Sequence, residues 1–280
     1  MKIGFMTLGC PNWDLDTICK RCSEYGYTGV DFRGYLGEID ITRLPEFTYK
    51  VSKTYNQLRD AGLEVCGIST SINVCVQKDR TKNLESAKRT IEVARAVDSI
   101  NIRVFGGGDL EKYTRKELAE IGCDYVSQIL ELDGARGLKW LFETHDLWVK
   151  ARHCRLLLDH ISEPAFGALW DMGHTWRVGR EKPIDTFTAL KPRIGYTHVK
   201  DAVFNPDSPM AMKDGWYYVA PGTGELPLVD SIKLLMEDDY DGWFVFKHEK
   251  RWHPNLPEPE EIFPQYIRWI KPLLSMEIHG

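Results

Sequence analysis

Short apolar runs alternate with longer amphipathic stretches along almost the whole of this 280-residue chain. Apolar runs bounded by turn residues are typical of buried strands, and apolar residues every three or four positions are typical of amphipathic helices. The pattern predicts eight strands, at Lys2–Leu8, Gly29–Arg33, Glu64–Ser69, Asn101–Phe105, Lys139–Glu143, Gly167–Asp171, Gly195–Val199 and Trp243–His248. It predicts eight helices, at Leu15–Tyr25, Phe47–Ala61, Asn83–Val97, Arg115–Leu130, Leu147–His160, Pro183–Leu190, Leu228–Met236 and Glu260–Leu274.

Local signals agree with these elements. Asp14 stands where an N-cap is expected before the first helix, and Gly26 and Gly62 follow helical patterns as C′ glycines do. A regular strand–helix cadence favours parallel βαβ units, and eight units in about 250 residues match a closed barrel. We therefore predict an α/β fold, a single (β/α)₈ barrel domain over residues 1–280. The Pro- and Gly-rich segment 205–224 is predicted to form a loop over the barrel mouth.

Composition narrows the picture. Apolar residues make up 43% of the chain, and the formal net charge is −5, which weighs against nucleic acid as a partner. No apolar run reaches the roughly 18 residues of a membrane span, so no membrane partner is expected. Seven scattered cysteines without a secretory leader favour a reducing, cytoplasmic location. A homo-oligomer is compatible with these features.

Three consecutive predicted strands end in residues that can bind a metal. Glu143, Asp171 and His198 each follow an apolar run directly. Active sites of such barrels lie at the carboxyl ends of the strands, where these three side chains would share one rim. Carboxylate and imidazole donors suit Mn²⁺, Mg²⁺, Co²⁺ or Zn²⁺. The pattern predicts a divalent metal site there.

Three motifs carry a family resemblance. The Asp-x-Gly-His turn (171–174), the His-x-Lys-Asp turn (198–201) and the Pro-Gly-x-Gly loop (221–224) resemble those of the xylose isomerase-like sugar isomerase/epimerase superfamily. That superfamily also includes inosose dehydratases, hydroxypyruvate isomerases, ketose 3-epimerases and endonuclease IV. The resemblance covers essentially the whole chain, and its motifs identify the superfamily without choosing a member.

The resemblance implies a metal, with Mn²⁺ the first expectation, held by residues at the ends of strands five to eight. Glu143, Asp171 and His198 match the first three ligand positions. In epimerase-type members, the glutamates of strands five and eight are also the acid/base pair. They move a proton at the carbon beside a carbonyl, while the metal stabilises the developing enediolate.

The sequence departs from the family at the fourth ligand position, where Lys247 stands in place of glutamate. Glu249 lies two residues on and shares the same strand face. In one interpretation, Glu249 is the fourth ligand and part of the catalytic pair with Glu143. In a second, Lys247 replaces the ligand, natively or through an inactivating substitution. In a third, Lys247 is catalytic as an ammonium or a Schiff-base amine. The plainest interpretation is that Lys247 simply pairs with Glu143 or Asp171.

Six further residues are candidates for substrate binding, because they lie next to the ligands or in rim loops. His145 and His174 would contact substrate hydroxyls, Lys200 an oxyanion and Arg33 a carboxylate or phosphate, and Trp13 would stack on a sugar face. His248 belongs to a dense cluster after the last strand. The candidates are His145, His174, Lys200, Arg33, Trp13 and His248.

Together these features predict a metal-dependent isomerase or epimerase acting on a small sugar or polyol. A lyase, either of the inosose-dehydratase type or one that cleaves keto-glycosides, would begin with the same proton abstraction. A barrel that has lost its activity is the alternative that Lys247 favours. A nuclease is disfavoured, because the ends of strands three and four carry Ser69-Thr70 and Phe105-Gly106 rather than histidines.

Overall fold

The computed structural model describes residues 2–275. Its ten strands are β1 (Lys2–Met6), β2 (Gly29–Phe32), β3 (Glu64–Asn73), β4 (Asn101–Phe105), β5 (Lys139–Glu143), β6 (Phe166–Asp171), β7 (Ile194–Val199), β8 (Asp201–Phe204), β9 (Trp216–Val219) and β10 (Trp243–Phe246). Its α-helices are α1 (Leu15–Tyr25), α2 (Val51–Asp60), α3 (Arg80–Ala96), α4 (Arg115–Leu130), α5 (Ala151–His160), α6 (Met172–Arg177), α7 (Pro183–Leu190), α8 (Leu228–Glu237) and α9 (Pro259–Leu274).

Eight of the strands form a closed parallel barrel in the order β1-β10-β7-β6-β5-β4-β3-β2. The barrel closes where β1 pairs with β10, from Lys2 opposite Trp243 to Phe5 opposite Phe246. Helices flank the strands, as the right-handed βα crossovers of this architecture require. The predicted (β/α)₈ barrel is confirmed.

Side chains alternate along each strand between the barrel interior and the helix layer. The interior is filled by a small apolar cluster that includes Leu141, Leu169, Tyr196 and Val245. The larger core lies between the strands and the helices. It is formed by the alternate strand residues that face outward from the barrel, such as Phe244. Because successive strand residues face opposite sides, this alternation decides which rim residues enter the active site.

Several element boundaries differ from the predicted ones. Helix α2 begins at Val51 rather than Phe47, because Pro45–Phe47 form a separate 3₁₀ turn. Helix α5 begins at Ala151 rather than Leu147, because Lys150 has an extended backbone (φ −86°, ψ 139°) and is the N-cap. The short helix α6 was not predicted from the pattern.

The segment predicted as a loop over the mouth contains a strand. Within residues 205–224, β9 pairs with β8 as an antiparallel hairpin, with Asp201 opposite Val219 and Phe204 opposite Trp216. The Pro-Gly-x-Gly loop follows this hairpin, and the backbone N–H groups of Gly222 and Gly224 both donate to Asp201 Oδ2 at 2.9 Å. The two family motifs 198–201 and 221–224 are therefore joined directly.

Within residues 2–275, none of the helices combines the length and the apolar composition needed to cross a bilayer. The cytoplasmic location remains a prediction.

Candidate active site

The three residues predicted as metal ligands do converge. One donor atom from each of Glu143, Asp171 and His198 lies within 4.8 Å of the others, and all three side chains are fully buried. They share the interior parity of Leu141, Leu169 and Tyr196, which precede them by two residues, and Asp171 pairs directly with His198 in the sheet. Each of the three follows, two positions later on the same strand, an apolar residue that faces the barrel interior. Its side chain therefore faces the interior as well, at the end of the strand.

Asp171 has two structural tasks. Its Oδ1 accepts a hydrogen bond from the backbone N–H of His174 at 2.9 Å and so caps helix α6. That contact fixes the carboxylate plane and turns Oδ2 toward the other charged groups. The Asp-x-Gly-His motif is thus a helix start that aims one carboxylate oxygen into the barrel.

Lys247 lies against two of these three residues. It continues the inward row of Trp243 and Val245, and its backbone N–H donates to Val199 O, which extends the sheet by one residue. Its Nζ is 2.5 Å from Glu143 Oε1 and 3.1 Å from Asp171 Oδ2. The ammonium therefore bridges both carboxylates, which is the pairing that the plainest interpretation predicted.

A second lysine and a third carboxylate complete the cluster. Lys200 Nζ lies 3.0 Å from Asp171 Oδ2 and 3.0 Å from Glu249 Oε1. Glu249 Oε1 is also 3.5 Å from Lys247 Nζ, and its side chain is 13% exposed whereas Glu143 is fully buried. We call Glu143, Asp171, Lys200, Lys247 and Glu249 the ion-pair cluster. Within it, Glu143 lies at the floor and Glu249 toward the mouth.

The charges of the ion-pair cluster stabilise one another. Burial by itself would raise the pKa of Glu143, but the ammonium of Lys247 outweighs it and holds that pKa well below its usual range. Burial would lower the pKa of Lys247, but the carboxylates of Glu143 and Asp171 outweigh it and raise that pKa well above its usual value. The contacts of Lys247 Nζ with three carboxylates favour its ammonium form over the neutral amine that Schiff-base chemistry needs.

Glu249 does not join the three predicted ligands. Among residues 2–275, the groups whose donor atoms lie within 4.8 Å are Glu143 with Asp171 and His198, and Glu143 with His145 and His174. The two ammonium groups of Lys200 and Lys247 take up the oxygen of Glu249 instead.

Behind His198 lies a carboxylate that the sequence analysis missed. Asp31 Oδ2 accepts hydrogen bonds from Ser69 Oγ at 2.9 Å and Tyr196 Oη at 3.1 Å, and it lies 3.1 Å from His198 Nε2. This contact orients the imidazole, so that Nδ1 lies 3.7 Å from Glu143 Oε1, without a hydrogen-bond partner among the described residues.

Arg103 was missed as well. Its Nε lies 3.3 Å from Glu143 Oε2 and its Nη1 donates to Thr70 O at 2.6 Å, with 2% of the side chain exposed. Asp31 and Arg103 share one signal, which is a charged residue inside an otherwise apolar strand. Such residues are rarely buried unless they are paired, so they mark the polar interior of the barrel.

The two histidines predicted to bind substrate lie beside the ion-pair cluster. His174 Nε2 is 3.2 Å from Lys200 Nζ, and burial lowers the pKa of this imidazole well below its usual value. His145 packs edge-on against His174 with ring centroids 4.3 Å apart, and its Nδ1 lies 2.6 Å from Asp146 Oδ1. The structure brings both to the rim next to Glu143, as predicted.

Arg33 lies in a neighbouring part of the mouth. A cavity of about 500 Å³ opens above β2 and β3, and we call it the Arg33 cavity. Its lining includes Arg33, Asp40, Arg43, Ser69, Thr70 and Arg89. Arg43 and Arg89 both pair with Asp40, but within residues 2–275 the guanidinium of Arg33 has no ion-pair partner. Burial and the nearby Arg103 lower the pKa of Arg33.

The structure does not bring Trp13 and His248 into the cluster. Trp13 packs on Phe263 of α9, and its indole N–H donates to Glu260 at 3.0 Å. His248 has the outward parity of Phe246, stacks on that ring, and its Nε2 lies 2.9 Å from Pro257 O. Both side chains lie against α9 or the segment that leads into it, away from the ion-pair cluster, and their role in substrate binding stays a prediction.

The three donor residues suit a metal ion, but the ammonium group of Lys247 lies in the space between them. Glu143, Asp171 and His198 form a group that could hold a divalent cation, and the unpartnered Nδ1 of His198 has the orientation of a ligand. A bound ion would lie about 2.0–2.2 Å from each donor. Lys247 Nζ already contacts the oxygens of both carboxylates, so the residues present do not fit a metal ion together with this ammonium.

Comparison with known proteins gives the class. The model of the xylose isomerase-like TIM barrel family matches residues 19–273, and the chain belongs to this family. The 3-dehydroshikimate dehydratase of Bacillus anthracis is 26% identical over 229 residues, covering 77% of this chain and 76% of that protein. An inosose dehydratase of Clostridium botulinum is 20% identical over 301 residues, covering 99% and 98% of the two chains.

Solved structures agree on the fold. The IOLI protein, whose structure has a bound zinc atom, covers 98% of both chains with a TM-score of 0.79 and 15% identity. A D-psicose 3-epimerase, solved in the presence of D-fructose, covers 99% of this chain and 100% of its own with a TM-score of 0.75 and 12% identity. The relatives are thus enzymes, and they include both dehydratases and epimerases.

Proposed function

We propose that this chain is an enzyme that moves a proton at the carbon beside a carbonyl group of a small sugar-like compound, as an isomerase or epimerase. The observation that carries the proposal is the placement of two carboxylates about one fixed cation. Glu143 and Glu249 lie 2.5 Å and 3.5 Å from Lys247 Nζ, one at the floor of the site and one toward its mouth.

Two carboxylates at different depths suit epimerisation, because the proton must leave one face of the carbon and return to the other. One of Glu143 and Glu249 takes the proton as a carboxylate, and the other takes up a proton from solvent and returns it to the opposite face of the carbon. The ammonium groups of Lys200 and Lys247 stabilise the negative charge that develops on the carbonyl oxygen. Lys247 then transfers its hydrogen bond from Glu143 to the substrate oxygen, which frees that carboxylate to act.

Surrounding groups supply orientation and recognition. We expect His145 and His174, which lie beside Glu143, to contact substrate hydroxyls at the rim. We expect Arg33 to bind an anionic group, a carboxylate or a phosphate, because its guanidinium lines a cavity and lacks an ion-pair partner among the described residues. The family resemblance implies Mn²⁺ at Glu143, Asp171 and His198, but Lys247 Nζ contacts both carboxylates, so the proposal assigns no step to a metal ion. The steps above use only groups of the chain itself.

A dehydratase is the second candidate, and the sequence relatives named above favour it because both are dehydratases. Elimination of water begins with the same proton abstraction beside a carbonyl. The carboxylate that accepts the proton then serves as the acid that protonates the departing hydroxyl. The same residues therefore serve both reactions.

Solvent deuterium exchange tests the shared step. The chain is incubated in D₂O with ketohexoses, inosose and 3-dehydroshikimate, and the products are followed by NMR and mass spectrometry. An isomerase or epimerase gives a product with unchanged composition apart from deuterium at the reacting carbon. A dehydratase gives a product that has lost water. Absence of exchange with every compound, by a chain shown to be folded, would contradict the proposal.

Variants link the activity to the site. Glu143→Gln and Glu249→Gln are each expected to slow exchange by about 10²–10⁴-fold, the usual contribution of a general acid or base. Glu237→Gln is the matched control, since Glu237 is exposed at the end of α8, away from the ion-pair cluster. Equal rates for Glu143→Gln and Glu237→Gln would refute the assignment.

A further inference from the structure

The position of one nitrogen atom decides what the ion-pair cluster can bind. Lys247 Nζ contacts Glu143 Oε1 at 2.5 Å and Asp171 Oδ2 at 3.1 Å. His198 Nδ1, the third donor, lies 3.7 Å from the same Glu143 oxygen. A divalent ion bonded to these three donors would need the space between them. Ion and ammonium would then share two carboxylate oxygens at contact distance.

The charge of the site leads to the same result. Lys200 pairs with Asp171 and Glu249, and Arg103 pairs with the second oxygen of Glu143. Each carboxylate of the ion-pair cluster thus already has a cation of the chain beside it. A divalent ion would add positive charge where the negative charge is already balanced, in a buried place where water does little to screen it.

The backbone holds this arrangement in place. Lys247 extends the sheet through its bond to Val199 O, so its stem must point into the barrel. Lys200 passes over Gly173, where an added Cβ would come within 2.9 Å of the Lys200 stem. The space for the second ammonium is therefore provided by a glycine of the Asp-x-Gly-His turn.

We propose that Lys247 is a built-in cation that takes the place of a divalent metal ion, so that this chain binds no metal at Glu143, Asp171 and His198. Lys247 supplies the positive charge that the substrate oxygen meets. The catalytic role of Lys247 rests on the proposed function, whereas the exclusion of metal rests on the positions and charges of the described residues and is independent of that function.

Metal binding tests the exclusion directly. Wild-type protein and Lys247→Glu are incubated with Mn²⁺ or Zn²⁺, desalted and assayed for bound metal by elemental analysis, with affinities from calorimetry. The wild-type chain is expected to retain less than about a tenth of an ion per chain. Lys247→Glu adds a fourth ligand and removes the ammonium, so it is expected to retain about one ion and to bind at least 100-fold more tightly.

Controls locate any gained site. Lys191→Glu makes the same change of charge at an exposed lysine paired with Asp238, and it is expected to behave as wild type. Adding His198→Gln to Lys247→Glu is expected to abolish the gained binding. If Lys247→Glu folds poorly without metal, Lys247→Gln removes the ammonium alone and is expected to bind at least tenfold more tightly than wild type. Wild-type protein that binds one ion as tightly as either variant would overturn the proposal.

A chelator tests the catalytic role of Lys247 separately from the exclusion of metal. Wherever wild-type protein exchanges deuterium into a substrate, the rate is expected to be unchanged by EDTA. Loss of exchange with EDTA and recovery with Mn²⁺ would overturn the built-in cation. Absence of exchange with all substrates would contradict the proposed function instead, while the metal-content measurement still decides the exclusion.

Discussion

The mouth of the barrel has two regions of opposite character. Above β5, β6, β7 and β10, the ion-pair cluster is filled, and each charge has a partner within hydrogen-bond distance. Above β2 and β3, the Arg33 cavity has about 500 Å³ of open space and a guanidinium that lacks an ion-pair partner among residues 2–275. Under the proposed function, the difference separates two tasks: the charges assigned to the reacting carbon are held by ion pairs within the chain, whereas the charge assigned to substrate recognition lines an open cavity.

The strongest test of the comparison is to break the filled region. Lys247→Met removes the ammonium and leaves Glu143 and Asp171 buried with fewer cations. Because an unpaired buried charge is costly, we expect a loss of about 3 kcal/mol in the free energy of unfolding. Urea unfolding followed by circular dichroism measures it. The exposed Lys191→Met is the control, with a change of no more than about 0.5 kcal/mol. Equal effects of the two variants would show that the pairing contributes nothing.

The open region should respond in the opposite way. Arg33→Gln removes a charge that has no ion-pair partner within residues 2–275, so stability should not fall. KM for an anionic substrate should rise about 10- to 100-fold, as expected for one charged hydrogen-bonded contact. Arg43→Gln, in the same cavity but paired with Asp40, is the control for KM. Steady-state kinetics and thermal melting give both quantities. A stability loss equal to that of Lys247→Met would contradict the claim that Lys247 stabilises the fold through ion pairs and Arg33 does not.

A third test concerns the support of the filled region. Asp201 accepts hydrogen bonds from the N–H groups of Gly222 and Gly224 on Oδ2 and from those of Ala202 and Leu226 on Oδ1. In Asp201→Asn, an amide NH₂ would face two of these donors in either orientation. We expect a loss of about 1–2 kcal/mol in unfolding free energy. Denaturant unfolding checks it, and a neutral result would mean that the loop does not depend on this carboxylate.

The smallest effect is expected at the edge of the ion-pair cluster. Tyr218→Phe removes a hydroxyl that donates to Glu249 at 3.4 Å and accepts from Arg177 at 3.3 Å. These contacts are long, so kcat/KM should fall by less than about fivefold, which corresponds to less than 1 kcal/mol. Kinetics with Tyr217→Phe as the control on the same strand measures it. A larger fall, of a hundredfold or more, would place Tyr218 among the groups that act directly on substrate.

The sequence was sufficient for the barrel and for the three convergent donors. The strand cadence determines how many βα units form, and Glu143, Asp171 and His198 each follow an apolar run, so the rule that parallel strands end at one rim brings them together. Lys247 could be recognised as the departure from the family, and the structure confirms its pairing with both carboxylates.

Other features required the three-dimensional arrangement. His248 was assigned to the site although it has the parity of Phe246, and strand alternation would have excluded it. Asp31 and Arg103 were missed because only strand ends were considered. The hairpin of β8 and β9 has no clear period-2 pattern, because Trp216, Tyr217 and Tyr218 are consecutive aromatics. Its pairing is set by neighbours that the local sequence does not specify.

The inward-facing position of Lys247 has a consequence for how the gene can change. The codons of lysine, AAA and AAG, differ from the codons of glutamate, GAA and GAG, only in their first base. Because Lys247 occupies an inward-facing position between donors that are otherwise in place, one nucleotide substitution separates an internally charged site from one with four metal-binding side chains. Under the built-in-cation proposal, a requirement for a metal ion is gained or lost by one base change, without rebuilding the barrel.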